Sequence, residues 1–250
     1  MKTILISILL IICFQLQGQE KYVDINGQTF RIKTMGKGAV AVIFENGMSD
    51  SLEAWAAIPD SVATFTRVFL YDRADIGKSD TSRQARTIPN MVAELRSLLE
   101  HENIRPPYVL AGHSMGGFLV RYFASEYPDE VKGLFLADPS AEDYWDSMSK
   151  KQYRKYQKGG TEWYRTRFEP KYWKEWDTFL ANREFMRDLN IPKDMPIIMV
   201  SSTLPGWARN QTKIIDGFSN ARQIILEGDH YIHRTLPDST ISYIKQLVQP

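Results

Sequence analysis

The stretch Tyr108-Val109-Leu110-Ala111-Gly112-His113-Ser114-Met115-Gly116-Gly117-Phe118-Leu119-Val120-Arg121-Tyr122-Phe123 decides how this chain is read. Tyr108–Ala111 is a short, unbroken apolar run, the pattern of a strand buried on both faces. Phe118–Phe123 carries on as a helix. Between them lies G-x-S-x-G, at Gly112, Ser114 and Gly116. A serine on so tight a strand-to-helix turn needs small neighbours, because a Cβ on either side would clash as strand and helix approach. In that context Ser114 reads as an exposed nucleophile. The bland alternative is a glycine-rich turn with a capping serine.

The same alternation continues in both directions. Strand-like runs occur at Thr29–Thr34, Val40–Phe44, Val68–Tyr71, Val131–Ala137, Ile197–Val200 and Gln223–Leu226. Helical spacing appears at Met91, Val92, Leu95, Leu98 and Leu99, with Thr87 as a candidate cap, and again at Ile241, Ile244, Leu247 and Val248. Such alternation predicts an α/β fold with a doubly wound, mostly parallel sheet. Asn26-Gly27, between Tyr22–Ile25 and Thr29–Thr34, is a hairpin signal, so the sheet is expected to open antiparallel. Residues 140–190 break the pattern. They hold four of the six tryptophans, Trp145, Trp163, Trp173 and Trp176, beside Tyr144, Tyr153, Tyr156, Tyr164 and Tyr172. This reads as a helical cap inserted over the carboxyl edge of the sheet, many of whose aromatics would form its own small core.

A serine hydroxyl needs a base to take its proton. In an elbow of this kind the acid and the histidine follow the serine in the chain, and only His230 and His233 follow Ser114. His230, in Glu227-Gly228-Asp229-His230-Tyr231, lies nearer the end of the strand Gln223–Leu226 and is preferred. The acid is harder to place. Ser201–Gln211, after the strand Ile197–Val200, contains no Asp or Glu, and Asp216 should lie well down the next helix. Asp138, at the end of Val131–Ala137, is assigned instead, with Glu142 and Asp143 as alternatives at the start of the insertion. The competing reading makes Asp138 a cap or the partner of a structural arginine. The oxyanion needs two backbone donors, and these are read as the amides of Met115 and Met48, the latter in Glu45-Asn46-Gly47-Met48-Ser49.

Together these residues resemble the α/β-hydrolase superfamily over nearly the whole span from Tyr22 to Val248. The D-x-x-G-x-G-x-S loop of that family is similar to Asp72–Ser79, with Asp75 where a glycine is common, and its terminal G-x-H to Gly228-Asp229-His230. The resemblance implies that Asp72 is structural. It also exposes a departure: Glu45-Asn46-Gly47 stands where His-Gly is common. A carboxylate beside an oxyanion turn opposes negative charge, so Glu45 is expected to point away. The alternative is a cationic substrate.

With 31 basic and 30 acidic residues the 250-residue chain has no electrostatic footprint for nucleic acid. One cysteine and four histidines without paired spacing imply neither a disulfide nor a metal, and no cofactor is expected. The reading is a serine hydrolase that cleaves a small-molecule carboxylic ester, with amides, thioesters and lactones open to the same parts. The alternatives are haloperoxidase-like or acyltransferase chemistry on the same residues, or a catalytically silent binding protein. Met1-Lys2 followed by the apolar run Ile4–Leu16 and Gly18 reads as a signal peptide over residues 1–18, hence a secreted or periplasmic protein. The run is shorter than the roughly 20 residues that span a bilayer, and Ile12 before Cys13 disfavours lipidation. Removing it takes Lys2 and Cys13, which leaves a charge-balanced, cysteine-free chain. The exported protein is therefore expected to begin near Gln19 and to be soluble. Intact-mass analysis checks this; a retained, membrane-bound N-terminus would mean a signal anchor.

Overall fold

The structure, a computed structural model, describes residues 18–249. The leader read in residues 1–18 lies outside it apart from Gly18. Among the described residues no helix is long and apolar enough to cross a membrane.

Eight strands form one sheet: β1 (Gln19–Ile25), β2 (Gln28–Met35), β3 (Ala41–Glu45), β4 (Arg67–Tyr71), β5 (Tyr108–His113), β6 (Val131–Ala137), β7 (Ile197–Ser202) and β8 (Ala221–Leu226). Their order is β1-β2-β4-β3-β5-β6-β7-β8. The β1–β2 hairpin turns at Asn26-Gly27, both in left-handed conformation. β2 pairs antiparallel with β4, and the remaining pairs are parallel. The helices are α1 (Ile58–Val62), α2 (Ile88–His101), α3 (Gly116–Glu126), α4 (Glu142–Asp146), α5 (Lys150–Arg167), α6 (Pro170–Asn182), α7 (Trp207–Thr212), α8 (Ile232–Thr235) and α9 (Pro237–Val248).

The continuous apolar strands divide their side chains between two cores. Ile43, Leu110, Leu134 and Leu136 face α2 and α3, against Leu95, Phe118 and Phe123. Val42, Phe44, Val109, Ala111 and Phe135 face the other side, against Trp55, Val62, Ile244 and Leu247. Each fully buried aliphatic or aromatic side chain of this kind contributes about 1.5–3 kcal/mol. Thr87 does sit at the N-cap of α2, but its side chain caps nothing. The first amide of that helix, Ile88 N–H, instead donates to Asn182 Oδ1 at 3.1 Å. Asp216 is not inside a helix as expected; it follows the short 3₁₀ turn Lys213–Ile215 and is exposed.

Between β6 and β7 the chain leaves the sheet as α4, α5 and α6. Their aromatic rings interlock, with Trp145 edge-on to Phe179 at 5.1 Å and Tyr164 stacked on Trp176 at 5.1 Å. Helix α6 is pinned to the body by polar groups as well. Lys171 Nζ donates to Gly77 O at 2.9 Å, Lys174 Nζ to Asp75 Oδ1 at 3.0 Å, and Thr178 Oγ1 to Arg86 O at 2.8 Å.

The approach of α3 to the edge of β3 leaves no room for a side chain at Gly116, where a Cβ would lie 2.5 Å from Glu45 O and 2.7 Å from Asn46 O. These are backbone atoms and cannot rotate away. Gly116→Ala is therefore expected to cost at least about 1–3 kcal/mol, read as a lower denaturant midpoint. Gly159 in α5 has nothing within 4 Å of its would-be Cβ, so Gly159→Ala should stabilise by about 0.5–1 kcal/mol through helix propensity.

Candidate active site

Ser114 occupies the turn between β5 and α3 with φ +52°, a left-handed conformation that costs a non-glycine residue energy. The turn is held from three sides. Ser114 N–H donates to Ala137 O at 3.2 Å, while Ser114 O accepts from Gly117 N–H and Ser140 N–H, each at 2.9 Å.

His230 follows β8 and reaches across the sheet edge. Its Nε2 lies 2.8 Å from Ser114 Oγ and its Nδ1 lies 2.7 Å from Asp138 Oδ2. A carboxylate can only accept, so the proton sits on Nδ1 and Nε2 is left to accept the serine hydroxyl proton. Asp138 is fully buried at the end of β6 and is itself left-handed, φ +43°. The last residue of β7 and helix α7 supply its remaining donors: Ser202 N–H at 2.8 Å, Ser202 Oγ–H at 3.0 Å and Gln211 Nε2–H at 3.2 Å. Glu142 and Asp143 are engaged elsewhere, Glu142 bidentately with Arg121 at 2.8 and 3.1 Å and Asp143 with Lys213 at 2.7 Å.

Ser114 and His230 open onto a cavity of about 780 Å³ beneath the cap, lined by Trp145, Tyr156, Tyr164, Trp176, Phe179 and Trp207 among others. The edge of the Trp207 ring meets the His230 imidazole at 5.6 Å and 89°. Met48 lines the same cavity, and Met115 caps the start of α3, where helix amides lack intrahelical acceptors.

Residues 40–235 match the alpha/beta hydrolase fold family. The chain belongs to this family. A similar relative is the uncharacterized protein YqjL of Bacillus subtilis (strain 168), 35% identical over 125 residues, which are 50% of this chain and 49% of that protein. The (lyso)-N-acylphosphatidylethanolamine lipase of Bos taurus is 27% identical over 135 residues, covering 51% of this chain and 39% of the lipase. The chain thus spans half or less of the length of the curated relatives it matches. Among solved structures, the enol-lactonase from Burkholderia xenovorans LB400 superposes with a TM-score of 0.70 at 16% identity, over 92% of this chain and 100% of that one. At that identity the likeness concerns the fold.

The family's D-x-x-G-x-G-x-S loop is structural here. Asp72 is buried, its Oδ1 accepting Leu52 N–H at 2.8 Å and its Oδ2 Lys78 N–H at 2.9 Å. Asp75 adopts φ +73° and is spent on Ser82 N–H and Lys174. Glu45 does turn away from the cavity. It is fully buried, accepts from the Tyr71 hydroxyl, and pairs with Arg73 Nη1 at 3.1 Å. Burial pushes its carboxyl up, against the pull of Arg73.

His113 and His233 form a layer beneath His230. His113 Nε2–H donates to His230 O at 2.9 Å, so the residue before Ser114 supports the loop that carries His230. His233 is fully buried, with ring centroids 4.3 Å from His113 and 4.6 Å from Trp55, and its Nε2–H donates to Ala54 O at 3.2 Å. His233 is therefore a packing residue. Burial drives its imidazole from the ordinary 6.5 down to about 2. The unfolded chain takes up this proton below pH 6.5 while the native chain refuses it, so stability falls on acidification from 6.5 downward. Between about pH 5.5 and 4 this one ring should contribute a slope of about 1.4 kcal/mol per pH unit, and about half that at pH 6.5. Urea titrations across that range should show His233→Phe with a slope shallower by one proton; an unchanged slope would exclude the assignment.

Proposed function

We propose that this chain is an exported serine hydrolase that cleaves a small-molecule carboxylic ester through an acyl-enzyme. The observation that carries the reading is the unbroken line Asp138–His230–Ser114, with links of 2.7 and 2.8 Å, at the floor of an aromatic-lined cavity. Ser114 Oγ attacks the carbonyl as His230 Nε2 takes its proton, and Asp138 stabilises the imidazolium without itself taking the proton. The amides of Met48 and Met115 receive the developing oxyanion. Collapse of the tetrahedral intermediate breaks the ester bond, and His230 returns its proton to the leaving alkoxide. Water then attacks the acyl carbon as His230 takes its proton, and collapse of this second intermediate breaks the bond to Ser114, returns the proton to Ser114 Oγ and releases the acid. The lining of the cavity favours an apolar group on the substrate. The pairing of Glu45 with Arg73 weighs against a cationic substrate.

A fluorophosphonate probe should label the folded wild type and not Ser114→Ala. On a chromogenic ester such as 4-nitrophenyl butyrate, Asp138→Asn should lower kcat by about 10⁴. His230→Ala should lower it by several orders of magnitude. Glu142→Gln and Asp143→Asn should remain close to wild type. A folded wild type that the probe leaves unlabelled would overturn the proposal, and near-normal turnover by a folded Asp138→Asn variant would remove Asp138 from it.

A further inference from the structure

A buried charge network joins the cap to the loop that carries Met48. Arg73, which follows β4, is fully buried. Its Nε and Nη2 grip Glu175 of α6 at 2.7 and 3.2 Å, and its Nη1 meets Glu45 at 3.1 Å. Glu175 is also fully buried, although it comes from a cap helix 102 positions along the chain. Sequestering a carboxylate so completely costs several kcal/mol unless it is fully paired. A polar group on a helix flank that carries Trp176, Phe179 and Leu180 as buried neighbours therefore needs a reason.

The reason lies in two peptide planes. Arg73 Nη2 donates to Gly47 O at 2.7 Å, and Arg73 Nη1 to Asn46 O at 2.9 Å. Gly47 C=O and Met48 N–H belong to one trans peptide unit, so the N–H must point opposite to the carbonyl that Arg73 holds. The next unit is fixed from its other end, where Ser49 N–H donates to Glu175 Oε2 at 2.7 Å. Ser49 sits at φ +63°, a conformation that the loop would leave readily without this restraint. Both planes flanking Met48 are thus fixed by one guanidinium and one carboxylate, and the carboxylate belongs to the cap.

We propose that Glu175 is a positioning residue for the Met48 amide, acting through Ser49 N–H and Arg73, so that the oxyanion site is complete only while α6 is seated on the body. The inference rests on the serine hydrolase reading above. It makes the cap a structural part of the acyl-transfer machinery as well as the roof of the cavity.

Glu175→Gln is the test. The amide is isosteric, and Arg73 keeps Glu45 as its counter-charge, so the variant retains a balanced pair in the core. Glu175→Asp accompanies it: this variant keeps the charge beside Arg73 but withdraws the carboxylate from Ser49 N–H. Asp177→Asn on the same helix, which opens the exposed pair between Asp177 and Arg165 of α5, serves as the control. With 4-nitrophenyl butyrate, Glu175→Gln should lower kcat by about 10², the scale of one oxyanion donor, with KM changed less than threefold. Inhibition by a trifluoromethyl ketone, which binds as the tetrahedral adduct, should weaken by the same factor. Hydrogen exchange of the 45–52 segment should accelerate at least tenfold in Glu175→Gln and Glu175→Asp, and remain at the wild-type rate in Asp177→Asn. The exchange readout needs no turnover, so it stands even if the fluorophosphonate probe fails on the wild type. Wild-type kcat, or unchanged protection of 45–52, in whichever Glu175 variant folds would overturn the inference. A rise in KM with kcat unchanged would assign Glu175 to the shape of the cavity instead.

Discussion

The structure hangs on a steric constraint at one turn. Strand β5 must become helix α3 within two residues, with Ser114 left-handed at the apex and the backbone of Gly116 against the carbonyls of Glu45 and Asn46. That close approach brings the start of α3 next to the end of β3. The amide following Ser114 and the loop carrying Met48 therefore become neighbours. The strain of the turn is met by the hydrogen bond that Ser114 N–H donates to Ala137 O of β6 and by the one that Ser114 O accepts from Ser140 N–H. The strands around it, buried on both faces, leave no other path for the chain.

The second organising element is electrostatic. Arg73 collects two buried carboxylates and two backbone carbonyls around one planar guanidinium, a task for which its fixed fork of donors suits it. Such a network contributes little net stability, because desolvation consumes most of the Coulombic gain. Its effect is geometric, since it allows few arrangements of the 46–49 loop. Around it the cap is attached by polar contacts from α6 to the Asp72–Ser79 loop and to Arg86. The aromatic rings of the cap meanwhile pack on one another and line the cavity.

The carboxylate hydrogen-bonded to His230 draws on two neighbouring strand ends. Asp138 ends β6, and the segment after β7 holds no carboxylate. Instead Ser202 at the end of β7 provides an amide and a hydroxyl, and Gln211 of α7 a carboxamide, that donate to Asp138. Position along the sheet edge matters more than which strand delivers the charge, because adjacent parallel strands end side by side. Asp138 N–H donates to Val200 O at 2.7 Å, which ties the two strand ends together.

Much of this was legible in the residues themselves. Apolar runs revealed the strands to within two residues at most ends, and Asn26-Gly27 marked the antiparallel opening. Gly112, Ser114 and Gly116 disclosed the elbow, and chain order together with strand-end position singled out His230 and Asp138. These signals are local: periodicity, small residues at a tight turn, and the proximity of a residue to the end of its strand. The roles of Glu45, Arg73, Glu175, Ser202 and Gln211 were not legible, because each depends on partners far away in the chain. A carboxylate on the inner flank of α6 was the one available hint of Glu175. Likewise Thr87 was the candidate cap of α2, while Asn182 accepts the first amide of that helix. Sequence alone determined where the backbone could be a strand, a helix or a strained turn, since those preferences are set by neighbouring residues. Only the tertiary structure decided which buried charges meet and which amides they orient, because burial and partner distance exist only once the chain has packed.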